Sequence, residues 1–126
     1  MSDTKKPINS YRDLLVWREG MDLAVAAYKL TEEFPRDELY GLTSQIRRSA
    51  ASVPANIAEG YGRESSGSYI QQLRVAQGSL KELETHLLLS SRVGLTTMNV
   101  IASLLDRSDE VGKMLRRLIR SIQSTS

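Results

Sequence analysis

The chain contains no cysteine, which excludes disulfides, thiolate metal sites and thiol nucleophiles together. It has one histidine, His86. A lone histidine is more often a surface or packing residue than a catalyst, and no Ser-His-acid constellation can be argued from it. No Glu-x-x-His pair occurs, so the carboxylate-bridged metal sites of helical bundles lack their signature. Glu82 and His86 stand one helical turn apart and face roughly alike, yet two ligands without a partner set on another helix make a weak metal site. Gly60-Tyr61-Gly62 is followed by neither Gly-Lys-Ser nor Gly-Lys-Thr and is no phosphate loop. Proline occurs only three times, and no segment alternates with period two, so strands are not expected. No apolar run approaches the roughly 18 residues that cross a bilayer. The first residues, 1–9, are polar and lack an apolar signal core. These absences predict a cytoplasmic, non-enzymatic protein with no catalytic residue, metal, cofactor or membrane contact.

What is present fits one soluble globular domain. The 126 residues are 40% apolar and 25% charged. A chain of this length buries about two-thirds of the surface it exposes when unfolded. The net charge is only +2, but its sign is patterned. Residues 1–38 carry six basic and eight acidic side chains, a net of −2. Residues 39–81 carry five and two, a net of +3, and residues 82–126 six and five, a net of +1. Every charged residue after Glu110 is basic.

Helical periodicity recurs four times. The stripes are Leu14, Trp17, Met21, Ala24, Tyr28; then Leu42, Ile46, Ala50, Val53, Ile57; then Tyr69, Leu73, Ala76, Leu80, Leu83, Leu87. The last is Ile101, Leu104, Val111, Leu115, Leu118, Ile122, with Ser108 in its gap. Ser10 suits the cap of the first helix, with Asp13 at the positive end of its dipole. Phe34-Pro35 stops that helix. Gly60 and Gly62 close the second, Ser65 or Ser66 caps the third, Gly94 ends it, and Thr96 or Thr97 starts the fourth. Short joints make neighbouring helices antiparallel. The expectation is an all-α, antiparallel up-down-up-down four-helix bundle over residues 10–123, between a flexible N-terminus, 1–9, and a flexible C-terminus, 124–126. Pro54 lies inside the second helix, where it removes a donor; it reads as a tolerated kink or as a bend that sets the contact with a neighbour.

Two outer faces carry small residues where an exposed helix normally carries long charged ones. Ser44, Ala51 and Ala55 lie opposite the core on the second helix, and Val75, Gly78 and Leu89 on the third. They are the candidate interface for self-assembly. On the fourth helix Lys113, Arg116, Arg117 and Arg120 point away from the apolar seam. Asp109 suits Lys113 at i,i+4, which leaves three arginines without a local partner. Cations belong near a helix C-terminus on dipole grounds alone; the functional reading is a ridge that meets phosphate or an acidic partner. Arg47, Arg48, Arg63 and Arg74 form a second basic source. Asn56, Glu59 and Arg63 read as a capping and salt-bridge cluster at the exit of the second helix.

Several pieces of the sequence resemble the four-helix-bundle proteins encoded by intervening sequences in bacterial 23S ribosomal RNA genes. They are Asp13-Leu14 with Val16-Trp17, Phe34-Pro35, Glu38, Tyr40-Gly41-Leu42 and Gln45-Ile46-Arg47-Arg48-Ser49. Ser52-Val53-Pro54-Ala55-Asn56-Ile57-Ala58-Glu59-Gly60 and Gly62-Arg63 follow, then Ala76-Gln77-Gly78-Ser79-Leu80 and Glu82-Leu83. The likeness runs from about Tyr11 to the fourth helix, which matches only in its apolar period. The resemblance implies an antiparallel bundle, a ring-shaped homo-oligomer of pentameric type and a link to RNA. Related bundle proteins are accessory factors of retroelement reverse transcriptases and bind nucleic acid through basic surfaces. The expected partners are therefore a second copy of the chain and RNA or a nucleic-acid-processing protein. The alternative is a protein-interaction scaffold or accessory subunit with no direct nucleic-acid contact.

Overall fold

Four amphipathic helices follow one another around a single core. The structure is a computed structural model and describes residues 7–125. Helix α1 spans Leu15–Thr31, α2 Leu42–Tyr61, α3 Ser66–Arg92 and α4 Met98–Thr125, with short 3-10 turns at Tyr11–Asp13 and Arg36–Glu38. Among the described residues there is no strand. Of the ends expected to be flexible, residues 1–6 and Ser126 lie outside the described residues, and Ser124 and Thr125 are the last described residues of α4.

Cross-helix pairs fix the direction of each helix. Asn56 meets Gln72, Ser52 meets Ser79 and Arg48 meets Glu82, so α2 and α3 run antiparallel. Glu84 with Ser108 and Leu80 beside Gly112 make the same statement for α3 and α4. Gly20 beside Val53 and Arg47 bonded to Thr31 make it for α1 and α2. Contacts between α1 and α4 close the ring of four. The topology is up-down-up-down.

The apolar stripes of α2, α3 and α4 form the core as their spacing requires. Ile46, Val53, Ile57, Leu73, Leu83, Leu87, Ile101 and Leu115 are all fully buried. Helix α1 departs from its expected stripe. Its buried residues are Val16, Gly20, Leu23, Ala24, Ala27 and Thr31, while Met21 and Tyr28 are exposed and Trp17 is half-buried. The helix is turned by one residue, about 100°. Small residues decide this. A Cβ on Gly20 would stand 3.5 Å from Val53 Cγ1 and 3.7 Å from the Pro54 backbone, so α1 packs closely on α2 through its Gly/Ala face.

The joints largely follow the local chemistry. Ser10 and Asp13 form a capping box, but it orders the 3-10 turn ahead of α1. Helix α2 runs unbroken through buried Pro54 and through Gly60 to Tyr61. Ser49 donates to the Gln45 and Ile46 carbonyls and Asn56 to that of Ser52, so neither turns to the Ala50 carbonyl that Pro54 leaves free. Ser65 caps α3 by accepting from the Ser68 amide. Gly94, at φ 86°, closes α3 in a Schellman turn, with Leu95 N–H donating to the Ser90 carbonyl at 2.9 Å. Thr97 Oγ1 accepts from the Val100 amide at 3.2 Å and starts α4.

Candidate interaction surfaces

The turn of α1 leaves Met21, Val25 and Tyr28 exposed and Trp17 half-buried at the edge of the core. Trp17, Met21, Val25 and Tyr28 line an open groove of about 650 Å³, with Ala51 and Ala55 of α2 on its other wall. Tyr11 closes one end, edge-on to Trp17 at 5.2 Å. At the other end Tyr28 also borders a second recess with Leu39, Tyr40 and Ser44. Tyr40 is 92% exposed, the most of any large apolar side chain described. Of the candidate interface residues, Ala51 and Ala55 thus line the groove and Ser44 the recess, which meet at Tyr28. Val75 and Leu89 are exposed on α3. Gly78 is exposed too, but it lines the cleft between α3 and α4.

The eight candidate basic residues divide by what already engages them. Arg47 is half-buried; its Nε donates to Thr31 Oγ1 at 2.8 Å and its guanidinium lies 4.8 Å from the Tyr28 ring centre. It braces α2 on α1. Arg48 donates to Gln45 and stands 3.8 Å from Glu82. Arg63 pairs with Glu59 at 3.5 Å, and Lys113 with Asp109 at 3.5 Å and Glu110 at 3.7 Å. These exposed pairs are individually weak and yield easily to a better anion. Among the described residues Arg74, Arg116, Arg117 and Arg120 have no acidic partner within 4 Å. Arg74 lies one turn before Gly78, which lines the α3–α4 cleft together with Arg116.

Acidic side chains gather in the α1–α2 connection, and basic ones where α4 ends. The connection from α1 to α2 carries Glu32, Glu33, Asp37 and Glu38 against Arg36. The opposite end, where α4 finishes, carries Lys113, Arg116, Arg117 and Arg120 and no acid after Glu110.

The cluster at the exit of α2 has a wider reach than its sequence spacing indicates. Gln72 of α3 donates to Asn56 Oδ1 at 2.9 Å and to Glu59 Oε1 at 2.7 Å. Asn56 donates to Ser52 Oγ, which pairs with Ser79 Oγ at 2.7 Å. The chain of bonds fixes the register of α2 on α3. His86 has both ring nitrogens buried without a hydrogen bond, and Glu82 lies 3.9 Å away. Among the described residues no three His, Asp or Glu side chains gather where they would hold a metal ion. Nor is any helix long and apolar enough to cross a membrane.

Sequence reasoning misses the α1 groove, because the first stripe places Trp17, Met21 and Tyr28 in the core, and it misses the exposure of Tyr40. It also misses the α3–α4 cleft. Ser108 fills a gap in the fourth stripe, and nothing local joins it to Glu84.

Fold and surface together define an all-α, four-helix-bundle protein whose conspicuous features are an apolar groove and an arginine surface. The chain belongs to the 23S rRNA-intervening sequence protein family, whose profile matches residues 12–117. A similar solved structure is a protein of unknown function from the S23 ribosomal protein family of Bacteroides thetaiotaomicron. It is 28% identical, covers 83% of this chain and 98% of its own, and superposes with a TM-score of 0.75. No curated protein matches the chain.

Proposed function

We propose that the chain is a non-enzymatic subunit of a homo-oligomer that binds RNA, or a ribonucleoprotein, through the basic surface of α4 and the start of α3. The observation that carries this reading is the set of exposed arginines, Arg74, Arg116, Arg117 and Arg120, left without acidic partners in a protein of net charge +2. An unpaired cluster in a nearly neutral chain points to an anion supplied from outside. Membership of a family tied to ribosomal RNA genes supports RNA as that anion. The groove supports self-association: a second copy of the chain covers Met21, Val25 and Tyr28, which a lone bundle leaves in water. The ring implied by the family resemblance needs such a face.

Phosphate contacts dominate in this reading, so RNA affinity falls steeply with salt. Replacing Arg116, Arg117 and Arg120 by Ala should weaken RNA binding and flatten the plot of log K against log salt by about two. The melting temperature should hold, because none of the three is in the core. Unchanged affinity rejects the ridge. A scaffold without nucleic-acid contact is the second reading, favoured by the acidic α1–α2 connection. A stoichiometric protein partner that survives nuclease treatment decides for it.

A further inference from the structure

The cleft between α3 and α4, about 280 Å³, has a polar floor, unlike the apolar groove. The floor is the fully buried Ser108 hydroxyl, which donates to Glu84 Oε2 at 2.5 Å. Glu84 Oε1 accepts from Lys81 at 3.3 Å. The wall is bare at Gly78, where a Cβ would meet nothing within 4 Å, while one on Gly112 would stand 3.7 Å from Leu80 Cδ1 and 3.8 Å from Arg116 Nη1. The Arg116 guanidinium therefore reaches back over Gly112. Gly112 and Ser108 are one helical turn apart, about 6 Å along the axis. The cleft thus holds a cation without a partner one turn from a carboxylate with accepting capacity left, and Gly78 lets a ligand come close to α3. A bare anion is disfavoured at the floor by Glu84 and Asp109, and a metal ion by the Lys81 ammonium. A ligand with a phosphate at one end and hydroxyl donors at the other satisfies both ends.

We infer that this cleft seats one ribose-phosphate unit of an RNA strand, with the phosphate on Arg116 and the ribose 2′-hydroxyl donating to Glu84. The inference rests on the RNA-binding reading above and sharpens it, since the 2′-hydroxyl is the group that separates RNA from DNA.

The experiment compares short single-stranded RNA with DNA of the same sequence by fluorescence anisotropy at one salt concentration. The wild-type protein should prefer RNA by about tenfold, the worth of one hydrogen bond to a charged acceptor. Glu84→Ala and Gly78→Leu should each bring that ratio close to one. Gly78 faces open space, so its leucine blocks the cleft without a clash in the bundle; circular dichroism checks both folds. Equal wild-type affinity for RNA and DNA overturns the ribose seat and leaves the arginine surface standing. A preference for RNA that survives both substitutions also overturns it. No binding of either nucleic acid overturns the seat and the RNA reading together. A free ribonucleoside monophosphate that binds as tightly as the strand overturns the assignment to RNA in favour of a nucleotide.

Discussion

Tyr69 sits where α2 turns into α3, edge-on to Tyr61 at 6.2 Å between ring centres. Burial, with a smaller push from Tyr61, raises its hydroxyl to about 12. The unfolded chain releases the same proton near pH 10. The folded state thus holds the proton more tightly, and the stability linked to it is complete below about pH 10 and is lost as the pH climbs toward 12. Thermal melts across that window should fall for the wild type and fall less for Tyr69→Phe; equal slopes would disprove the linkage. Single residues were legible where their partners are local. Asp109 and Lys113 pair at i,i+4 as their spacing requires. Arg47 was not legible, since Thr31 and Tyr28 lie on another helix and no local pattern announces a brace.

Glycine has opposite roles on two neighbouring helices. A Cβ on Gly60 would fall 2.9 Å from Gln72 Cβ and 3.3 Å from the Tyr69 carbonyl, so only glycine allows α2 to cross α3 so closely. Gly60→Ala should cost about 1–3 kcal/mol through overpacking. Gly78→Ala should stabilise by about 1 kcal/mol, because it gains helix propensity and touches nothing. Chemical denaturation of the two variants checks the contrast, and a shared sign would refute it. Three of the four helices could be read from their stripes, because in each a single stripe holds nearly all the large apolar residues that the core takes. Helix α1 has two adjacent apolar faces, one of large and one of small residues. Hydrophobicity favours the large set, Trp17, Met21 and Tyr28. Packing chose the small one, since Gly20 and Ala27 let α2 approach. Periodicity alone does not tell these apart, and the groove was hidden by that ambiguity.

For the whole molecule the groove predicts assembly. Val25 is 48% exposed in the single chain, so Val25→Glu should leave the bundle folded while placing a charge in the proposed contact. Sedimentation should find a multi-subunit wild type and a single-chain variant; a wild type that sediments as one chain would refute the contact. The same measurement over a range of ionic strengths bears on the basic tip where α4 ends. In a ring whose bundles stand parallel, every arginine-bearing tip lies beside another of its kind. Neighbours then push one another apart while their grooves draw them together. On the reading proposed above, added electrolyte softens that push and loosens the grip on a polyanion, so the conditions that would best build the ring are those in which it would hold RNA least. A strand threaded among the tips would cancel the repulsion as salt does, and cargo and container would each steady the other.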